Sequence, residues 1–488
     1  MNKITIAALL GLAIIPFAQA VSLSPDGRGQ ALIYPYYTAQ GNNDTLFSIV
    51  NPTSDLLATK VDQGKALKVR FYEGRNGRVV LDFNLYLAEN TTWTAAVTRD
   101  ANGNPILRTF DSACTAPRFG AGSIAGSTEI AFSNANYAGY DQAGSGLDRA
   151  REGHFEVIEM GRINDTFPIA AGVPFYDHTG NNIPPKAIDC AALAASWTAG
   201  GAFSNSGGAE LLAPSGGLFG HAFIINVPLG TEYSYDPDAL QGLFSVQMHT
   251  PPGGTGSSLA QAAPVSRVLV DGVYRESTWS RGIDAVSAVL VHRAAMNEFV
   301  SPVSNLPLGT DLILTFPTRS YYVVRDSDVG QSTKAPFTVK FSDLKLDGTK
   351  ISDGSSPGAC EPTAAYRVGR NGNGYLPYRY PVSFNPDPYF MYPDATTLCW
   401  QTNVLSYGNV LRSANAQSFA QDANYPSSGR AEVFLDQSGH VLTSLEGHQY
   451  VGLPVVGFAM QHRLNGNVGG MIANYSGTSL NKYETVLK

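Results

Sequence analysis

The sequence is poor in charge, and what it lacks excludes several classes of protein. Only 15 % of its 488 residues are Asp, Glu, Lys or Arg, against about 25 % in typical soluble proteins. The formal charge is −7 and no run of basic residues is present, so we expect no nucleic-acid partner. After residue 20, no segment has the roughly 18 consecutive apolar residues of a membrane helix. We therefore expect no membrane span in the mature chain.

Motifs for catalysis and for cofactor binding are also missing. The stretches 120–123 and 144–146 are rich in glycine but do not form the Gly-x-Ser-x-Gly of a serine hydrolase, and no phosphate-binding loop is present. Asp100 starts a loop like those that bind calcium, but Pro105 stands where that loop needs Gly, so a hairpin turn is the better interpretation. The sequence predicts no catalytic residue, no metal and no cofactor. The histidines, which lack the spacing of a zinc site, are His154, His178, His221, His249, His292, His440, His448 and His462.

The first residues predict the compartment. Residues 1–3 form a short basic start, residues 4–17 are mostly apolar, and Ala18-Gln19-Ala20 has the small residues of a cleavage site. This order is typical of a cleaved signal peptide over residues 1–20. We therefore expect an exported protein that is located at the cell surface, in the extracellular space or in the periplasm.

The cysteines are expected to form disulfides. All of them follow the predicted cleavage site, and an even number in an oxidising compartment favours pairing. Two bridges can be arranged in three ways, which the sequence leaves open. The cysteines are Cys114, Cys190, Cys360 and Cys399.

Short alternating segments separated by turns predict a β-sandwich. The segments 31–37 and 45–51 alternate in this way. Asn76-Gly77 is the dipeptide that best tolerates the positive φ angles of a tight turn, so it predicts a hairpin of the strands 65–73 and 79–87.

Two groups of polar side chains are expected to lie in water. In the first strand of this hairpin, Lys68, Arg70 and Tyr72 alternate with apolar residues, which is typical of a sheet with one solvated face. Glu156 and Glu159 fall on opposite faces of another strand. We interpret them as solvent-facing or edge charges, since a glycosidase needs two carboxylates on one cleft.

Helix is sparse, and the chain length predicts two lobes. Three short helices are predicted at 187–196, 236–243 and 284–299. The chain exceeds the about 250 to 300 residues at which a single core stops growing. We expect antiparallel sandwich-like lobes with long loops, over 21–255 and 265–488. The boundary lies in a Pro- and Gly-rich stretch that has the composition of a linker but fits a long surface loop equally well.

An internal duplication is one interpretation of the two lobes. Residues 47–53 align with 312–318, and residues 68–71 align with 338–341, with the same alternation in both copies. If the duplication is real, each lobe carries its own disulfide, Cys114–Cys190 and Cys360–Cys399. Chance recurrence of short strand motifs explains the alignment equally well.

Tyrosine usage points to a binding surface. The sequence contains 24 Tyr against 4 Trp. In one segment, tyrosines interleaved with prolines could bind a glycan or a protein, because exposed Tyr supplies contact area at low entropy cost. The alternative is a long loop that packs its own aromatic rings over the sheet. The residues are Tyr375, Tyr378, Tyr380, Tyr389 and Tyr392.

The first lobe resembles a family. The segments Ala-Leu-Ile-Tyr-Pro-Tyr-Tyr at 31–37, Val-Asn-Pro-Thr at 50–53 and Leu-Asp-Phe-Asn-Leu-Tyr-Leu at 81–87 are similar to those of a group of uncharacterised exported proteins of Gram-negative bacteria, described as cell-surface or hypothetical proteins. The resemblance implies bacterial export. It implies no activity, and no functional residue can be transferred from it.

Three functions remain open at this point. The first is a non-catalytic exported envelope or extracellular protein in surface adhesion, matrix or assembly, with a protein or glycan partner at the cell surface. The second is a secreted polysaccharide-active hydrolase with carboxylates gathered from several loops. The third is an outer-membrane β-barrel, although the breaks between strands are long on both sides and the last residues lack the aromatic residue typical of such barrels.

Overall fold

The fold is mainly β, which confirms the predicted fold class. A computed structural model describes residues 19–52, 64–137, 143–164, 189–204, 207–302, 308–322, 363–369, 394–398, 400–418, 428–436, 440–468 and 471–488. Its helices are few and short, and its strands pair antiparallel with one parallel exception.

The described part of the first half consists of short strands, one α-helix and three short 3-10 helices at Leu147–Arg151, Ala202–Ser204 and Val227–Leu229. In chain order the elements are β1 (Ser22–Leu23), β2 (Ala31–Thr38), β3 (Asp44–Asn51), β4 (Lys65–Glu73), β5 (Val79–Leu87), β6 (Thr91–Arg99), β7 (Pro105–Thr109), β8 (Cys114–Ala116), β9 (Gly120–Ala121), β10 (Thr128–Ala131), β11 (Glu152–Ile163), α1 (Cys190–Ala195), β12 (Leu211–Leu212), β13 (Ala222–Asn226), β14 (Thr231–Tyr235) and β15 (Asp238–Gln241).

The described part of the second half has the same character, with 3-10 helices at Leu259–Gln261 and Arg319–Tyr321. Its elements are β16 (Val265–Val270), β17 (Val273–Thr278), α2 (Gly282–Leu290), β18 (Val291–His292), β19 (Ala294–Val300), β20 (Leu308–Thr315), β21 (Thr363–Gly369), β22 (Asp394–Thr397), β23 (Thr402–Tyr407), β24 (Ala416–Ser418), β25 (Ser428–Phe434), β26 (Val441–Thr443), β27 (Gln449–Val451), β28 (Leu453–Pro454), β29 (Phe458–Val468), β30 (Met471–Asn474), β31 (Gly477–Leu480), β32 (Lys482–Glu484) and β33 (Val486–Leu487).

Two sheets of the first half form the predicted sandwich. Sheet A has eight strands in the order β1-β15-β2-β11-β4-β5-β8 with β12 beside β11, and sheet B has seven in the order β14-β13-β3-β6-β7-β10-β9. Aromatic rings fill the space between them, because Phe155 of sheet A stacks on Tyr34 at 4.2 Å between centroids and meets Phe47 of sheet B at 4.6 Å. The predicted hairpin of β4 and β5 is confirmed, and Gly77 in its turn has φ +66°.

Sheet A is buried on both faces, so the prediction of a solvated face is wrong. Lys68, Arg70 and Tyr72 are buried, and so are Glu156 and Glu159, which were expected at the surface. The physical reason is that residues 250–258, hereafter the covering segment, lie across the face that carries Lys68 and Arg70 and hydrogen bond to it. Glu159 is covered by Ser215 and Gly216, whose backbone N–H groups donate to its carboxylate.

The second half adds two larger sheets that pack against the sandwich. Sheet C has the order β22-β21-β25-β19-β32, and sheet D has the order β24-β23-β20-β29-β30 with β31 beside β29. Phe458 of sheet D stacks on Tyr235 of sheet B at 4.4 Å between centroids. Side chains of both halves therefore share a hydrophobic core, in which Ile313 and Met460 pack with residues of the sandwich.

The predicted helices fare differently. The first is confirmed in its described part as α1, whose start is capped by Asp189. The second is wrong, because 238–241 forms strand β15 at the side of β2. The third is too long: α2 ends at Leu290, and 294–300 is strand β19, paired with β25. In both errors, pairing with a distant strand overrides the local pattern.

The duplication cannot be followed through both aligned pairs. Residues 312–315 belong to β20, whereas residues 338–341 lie outside the described ranges. Within those ranges, no helix combines the length and hydrophobicity needed to cross a bilayer.

Candidate functional site

Only some of the residues that the sequence singles out lie within the described part of the chain. Cys114 and Cys190 are joined in a disulfide that ties β8 to α1. Cys360 and Cys399 lie outside the described residues, and so do all the tyrosines of the predicted binding loop: Tyr375, Tyr378, Tyr380, Tyr389 and Tyr392. The loop stays a prediction.

A buried polar layer lies between sheet A and the covering segment. Asp82 accepts hydrogen bonds from Arg70 Nε at 2.6 Å and from Lys68 Nζ at 3.2 Å. The covering segment accepts a further hydrogen bond from each cation. The carbonyl oxygen of Pro251 accepts from Lys68 at 2.8 Å, and that of Gly254 accepts from Arg70 at 2.9 Å. Buried charges persist when they are paired and hydrogen bonded in this way.

Burial shifts the protonation of this layer. It lowers the pKa of Lys68 to about 8, against the opposing effect of Asp82. It raises the pKa of Glu156 to about 7, although Arg70 and a hydrogen bond from Tyr72 act in the other direction. Shifted groups mark many active sites, but this layer is covered and offers no access to a substrate. We assign it a structural role.

A second buried cluster has the order of an acid-base relay. The Tyr86 hydroxyl lies 2.9 Å from His249 Nε2, and the other ring nitrogen of His249 is hydrogen bonded to Glu210. Trp197 Nε1 donates to the same hydroxyl at 2.9 Å. Burial lowers the pKa of His249 and raises that of Tyr86.

This relay is sealed as well. The side chains of His249 and Glu210 are 0 % and 1 % exposed, so a substrate cannot reach the base in the way a catalytic triad requires. Its effect is to hold Trp197, just after α1, against strand β5. Sequence reasoning missed the cluster because its members are far apart in the chain.

One open cleft is formed where sheets C and D meet. Its volume is about 810 Å³, and the side chains that decide its chemistry are Met296, Glu298, Arg430, Arg463, Tyr475 and Lys482. Strand β19 supplies its floor. There, Met296 is the register partner of Lys482 on β32, and Glu298 is the register partner of Arg430 on β25.

The two sheets are held together at the cleft by amide side chains. Gln461 of β29 donates to the carbonyl oxygen of Glu298 at 3.3 Å. Asn297, which is buried, donates to Asn481 at 2.9 Å and accepts from Ser479 at 2.7 Å. These bonds fix the position of β31 beside β19, and so they fix the width of the cleft.

The cleft is cationic in an acidic protein. Three of its lining side chains are basic and one is acidic, while the whole chain has a formal charge of −7. The side chains of Arg430 and Lys482 are exposed, and neither side chain has a hydrogen-bond or ion-pair partner among the described residues. Arg463 is held by Gln461, whose side-chain oxygen accepts at 2.7 Å.

The described residues of the cleft do not supply the carboxylate pair of a glycosidase. A glycosidase needs two carboxyl groups about 5 to 9.5 Å apart on one cleft, and Glu298 is the only carboxylate among the described lining residues. Exposed Tyr475 and the side chains of Met296 and Leu480 add apolar surface beside the charges. Among the described residues, no three His, Cys, Asp or Glu side chains are placed to hold a metal ion.

Sequence reasoning missed this cleft. Its three cations come from strands β25, β29 and β32, which are separate in the chain and contain no motif. The local signal is weak: each basic residue stands at an exposed position of a strand. No protein-family model, curated protein or solved structure matches the chain.

Proposed function

We propose that this protein is a non-catalytic exported protein of the envelope or the extracellular space that holds a glycan or protein ligand in the cleft between sheets C and D. The observation that carries the proposal is a pair of exposed cations, Arg430 and Lys482, whose side chains have no partner within the described part of the chain and lie on one open surface. A fixed ligand of this kind suits surface adhesion, matrix formation or assembly.

Export is supported by cysteine chemistry and by sequence. The disulfide Cys114–Cys190 persists in an oxidising compartment and is rare in the cytosol. The predicted signal peptide and the resemblance to exported proteins of Gram-negative bacteria agree with that compartment.

Hydrolysis of a polysaccharide is the competing function. It would need a second carboxylate beside Glu298, and the described lining of the cleft holds none; the carboxylates Glu156 and Asp82 lie in the covered layer. Glu298 alone can accept a hydrogen bond from a ligand. Among the described lining residues it has no second carboxylate with which to divide the acid and nucleophile roles.

Binding to envelope material tests the proposal. Purified mature protein is mixed with an isolated envelope fraction and with concentrated extracellular polymer, and the sedimented fraction is measured for wild type and for the double variant Arg430→Gln/Lys482→Gln. We expect the double variant to remain mostly in the supernatant. Equal sedimentation of both proteins would contradict a role for the cleft.

The matched control is Arg275→Gln, which removes an exposed arginine of strand β17 outside the cleft. It changes the net charge in the same direction and should sediment like wild type. The supernatants are also assayed for new reducing ends. Their release at a rate that Glu298→Gln abolishes would support the hydrolase instead.

A further inference from the structure

We propose that the occupant of the cleft is an acidic polysaccharide, whose carboxylate groups on successive sugars pair with Arg430 and Lys482. This inference rests on the proposed function and specifies its ligand. Its first ground is charge: a cleft with three cations and one carboxylate favours an anion, and guanidinium binds a carboxylate through two parallel hydrogen bonds.

The spacing of the cations suits a polymer with repeated negative groups. On sheet C, Lys482 stands opposite Met296, and Arg430 stands opposite Glu298 on the other side of β19. Two residues along the strand and two strands across place their Cα positions about 12 Å apart. Negative groups repeated along a chain can therefore pair with both cations while each side chain extends over its own part of the cleft.

The surface between the cations has the chemistry of a sugar site. Tyr475 is 66 % exposed at the cleft, and an exposed aromatic ring presents an apolar face with a polar edge, which suits the face of a pyranose. Thr478 also lines the cleft, and its hydroxyl, which donates to the carbonyl oxygen of Ser234, can still accept a hydrogen bond. These groups match ligand hydroxyls that carry no charge.

Glu298 sets the register of the chain. Its carboxylate is exposed between the two cations and has no partner among the described residues. A second carboxylate placed there would be repelled, so the neutral part of the repeat must lie over it. There, a sugar hydroxyl can donate a hydrogen bond to Glu298.

An acidic peptide fits this cleft less well. Peptides that bind sheet proteins commonly add a strand to an exposed edge and gain backbone hydrogen bonds. Here the floor is the face of strand β19, which is paired with β25 over Ala294–Val300 and with β32 over Ala294–Met296. Such a floor offers only side chains to a ligand, and side chains are the groups that recognise a polysaccharide.

Calorimetric titration with four defined polymers tests the assignment. The probes are polygalacturonate, the same polymer after complete methyl esterification, neutral dextran and poly-glutamate. We expect polygalacturonate to bind best, with an affinity that falls as salt increases because exposed charges are screened. Esterification should weaken binding at least tenfold, and so should Arg430→Gln/Lys482→Gln, while Arg275→Gln binds like wild type.

The outcomes separate this inference from the proposed function. If the esterified polymer binds as well as the acid and the double variant still loses envelope binding, the cleft binds a ligand but the acidic class is wrong. If poly-glutamate binds as tightly as polygalacturonate, the saccharide assignment is wrong. If the double variant binds every polymer and the envelope like wild type, both proposals fail.

Discussion

Glu152 of strand β11 accepts a hydrogen bond from the hydroxyl of Ser413 at 2.6 Å, and so joins the two halves of the chain. The same carboxylate accepts from the Tyr36 hydroxyl at 2.8 Å and from the backbone N–H groups of Ala414 and Asn415 at 2.8 and 3.1 Å. Burial raises the pKa of Glu152, against these hydrogen bonds. The carboxylate therefore holds residues 413–415 of the second half against strand β11 of sheet A.

Replacing this carboxylate should loosen the contact between the halves. Glu152→Ala leaves the buried hydroxyls of Tyr36 and Ser413, and the N–H groups of Ala414 and Asn415, without this acceptor, and we expect a loss of about 3 kcal/mol in the free energy of unfolding. Urea unfolding measures the loss, and limited proteolysis should reveal new cleavage near residues 413–415. The control Glu232→Ala, on an exposed position of β14, should change stability by less than about 0.5 kcal/mol. Equal stability of the two variants would show that the contact is dispensable.

The buried ion pairs of the polar layer should contribute much more to the free energy of unfolding than an exposed ion pair does. Asp82→Ala leaves Lys68 and Arg70 buried without their counter-charge, and breaking such a pair costs about 3 to 5 kcal/mol. Glu276→Ala removes the exposed partner of Arg267, which should cost at most about 1 kcal/mol. Denaturant unfolding of both variants compares the two losses. Similar small losses would mean that the layer is not sealed by the covering segment.

Glu156 should make stability depend on pH. Burial raises its pKa from 4.5 to about 7, so the folded protein favours the neutral acid. The contribution of Glu156 to the free energy of unfolding is therefore fully present below pH 4.5, and it is lost as the pH rises through 7. Glu156→Gln keeps a neutral side chain at every pH, so its stability relative to wild type should rise by about 3 kcal/mol across this range. A difference that does not change with pH, measured by unfolding from pH 4 to 8, would contradict the shift.

The disulfide should be a main source of stability in the first half. Cys114 and Cys190 are 76 residues apart, and closing a loop of that length stabilises the fold by about 4 kcal/mol in the chain-entropy model. The variant Cys114→Ser/Cys190→Ser should lose roughly that amount in thermal or urea unfolding. Peptide mapping without reduction should also show Cys360 joined to Cys399. A link from Cys114 to either of these would refute the pairing.

Local patterns were sufficient for much of the first half. The Asn76-Gly77 turn predicts its hairpin because the positive φ at Gly77 is a property of a few residues. The same patterns failed wherever a distant segment decides the environment. Lys68 and Arg70 alternate like solvated side chains, yet the carbonyl groups that bury them belong to residues about 180 positions later in the chain.

The candidate site depends almost wholly on such distant relations. Arg430, Arg463 and Lys482 line one cleft because sheets C and D adjoin there, and no spacing in the sequence predicts this arrangement. Tyrosine usage did point toward a binding surface, but to a different segment. Tyr475 in the cleft was not among the tyrosines that the sequence singled out.

Light scattering after size separation tests the central claim most directly, because it reports binding and cleavage together. Polygalacturonate is incubated with stoichiometric protein at low salt, and the molar mass of the complex is measured. The molar mass of the polymer is measured again after the complex is dissociated at high salt. We predict a heavier complex at low salt and a polymer of unchanged molar mass afterwards. A polymer shortened by the incubation, or no complex at low salt, would contradict the account.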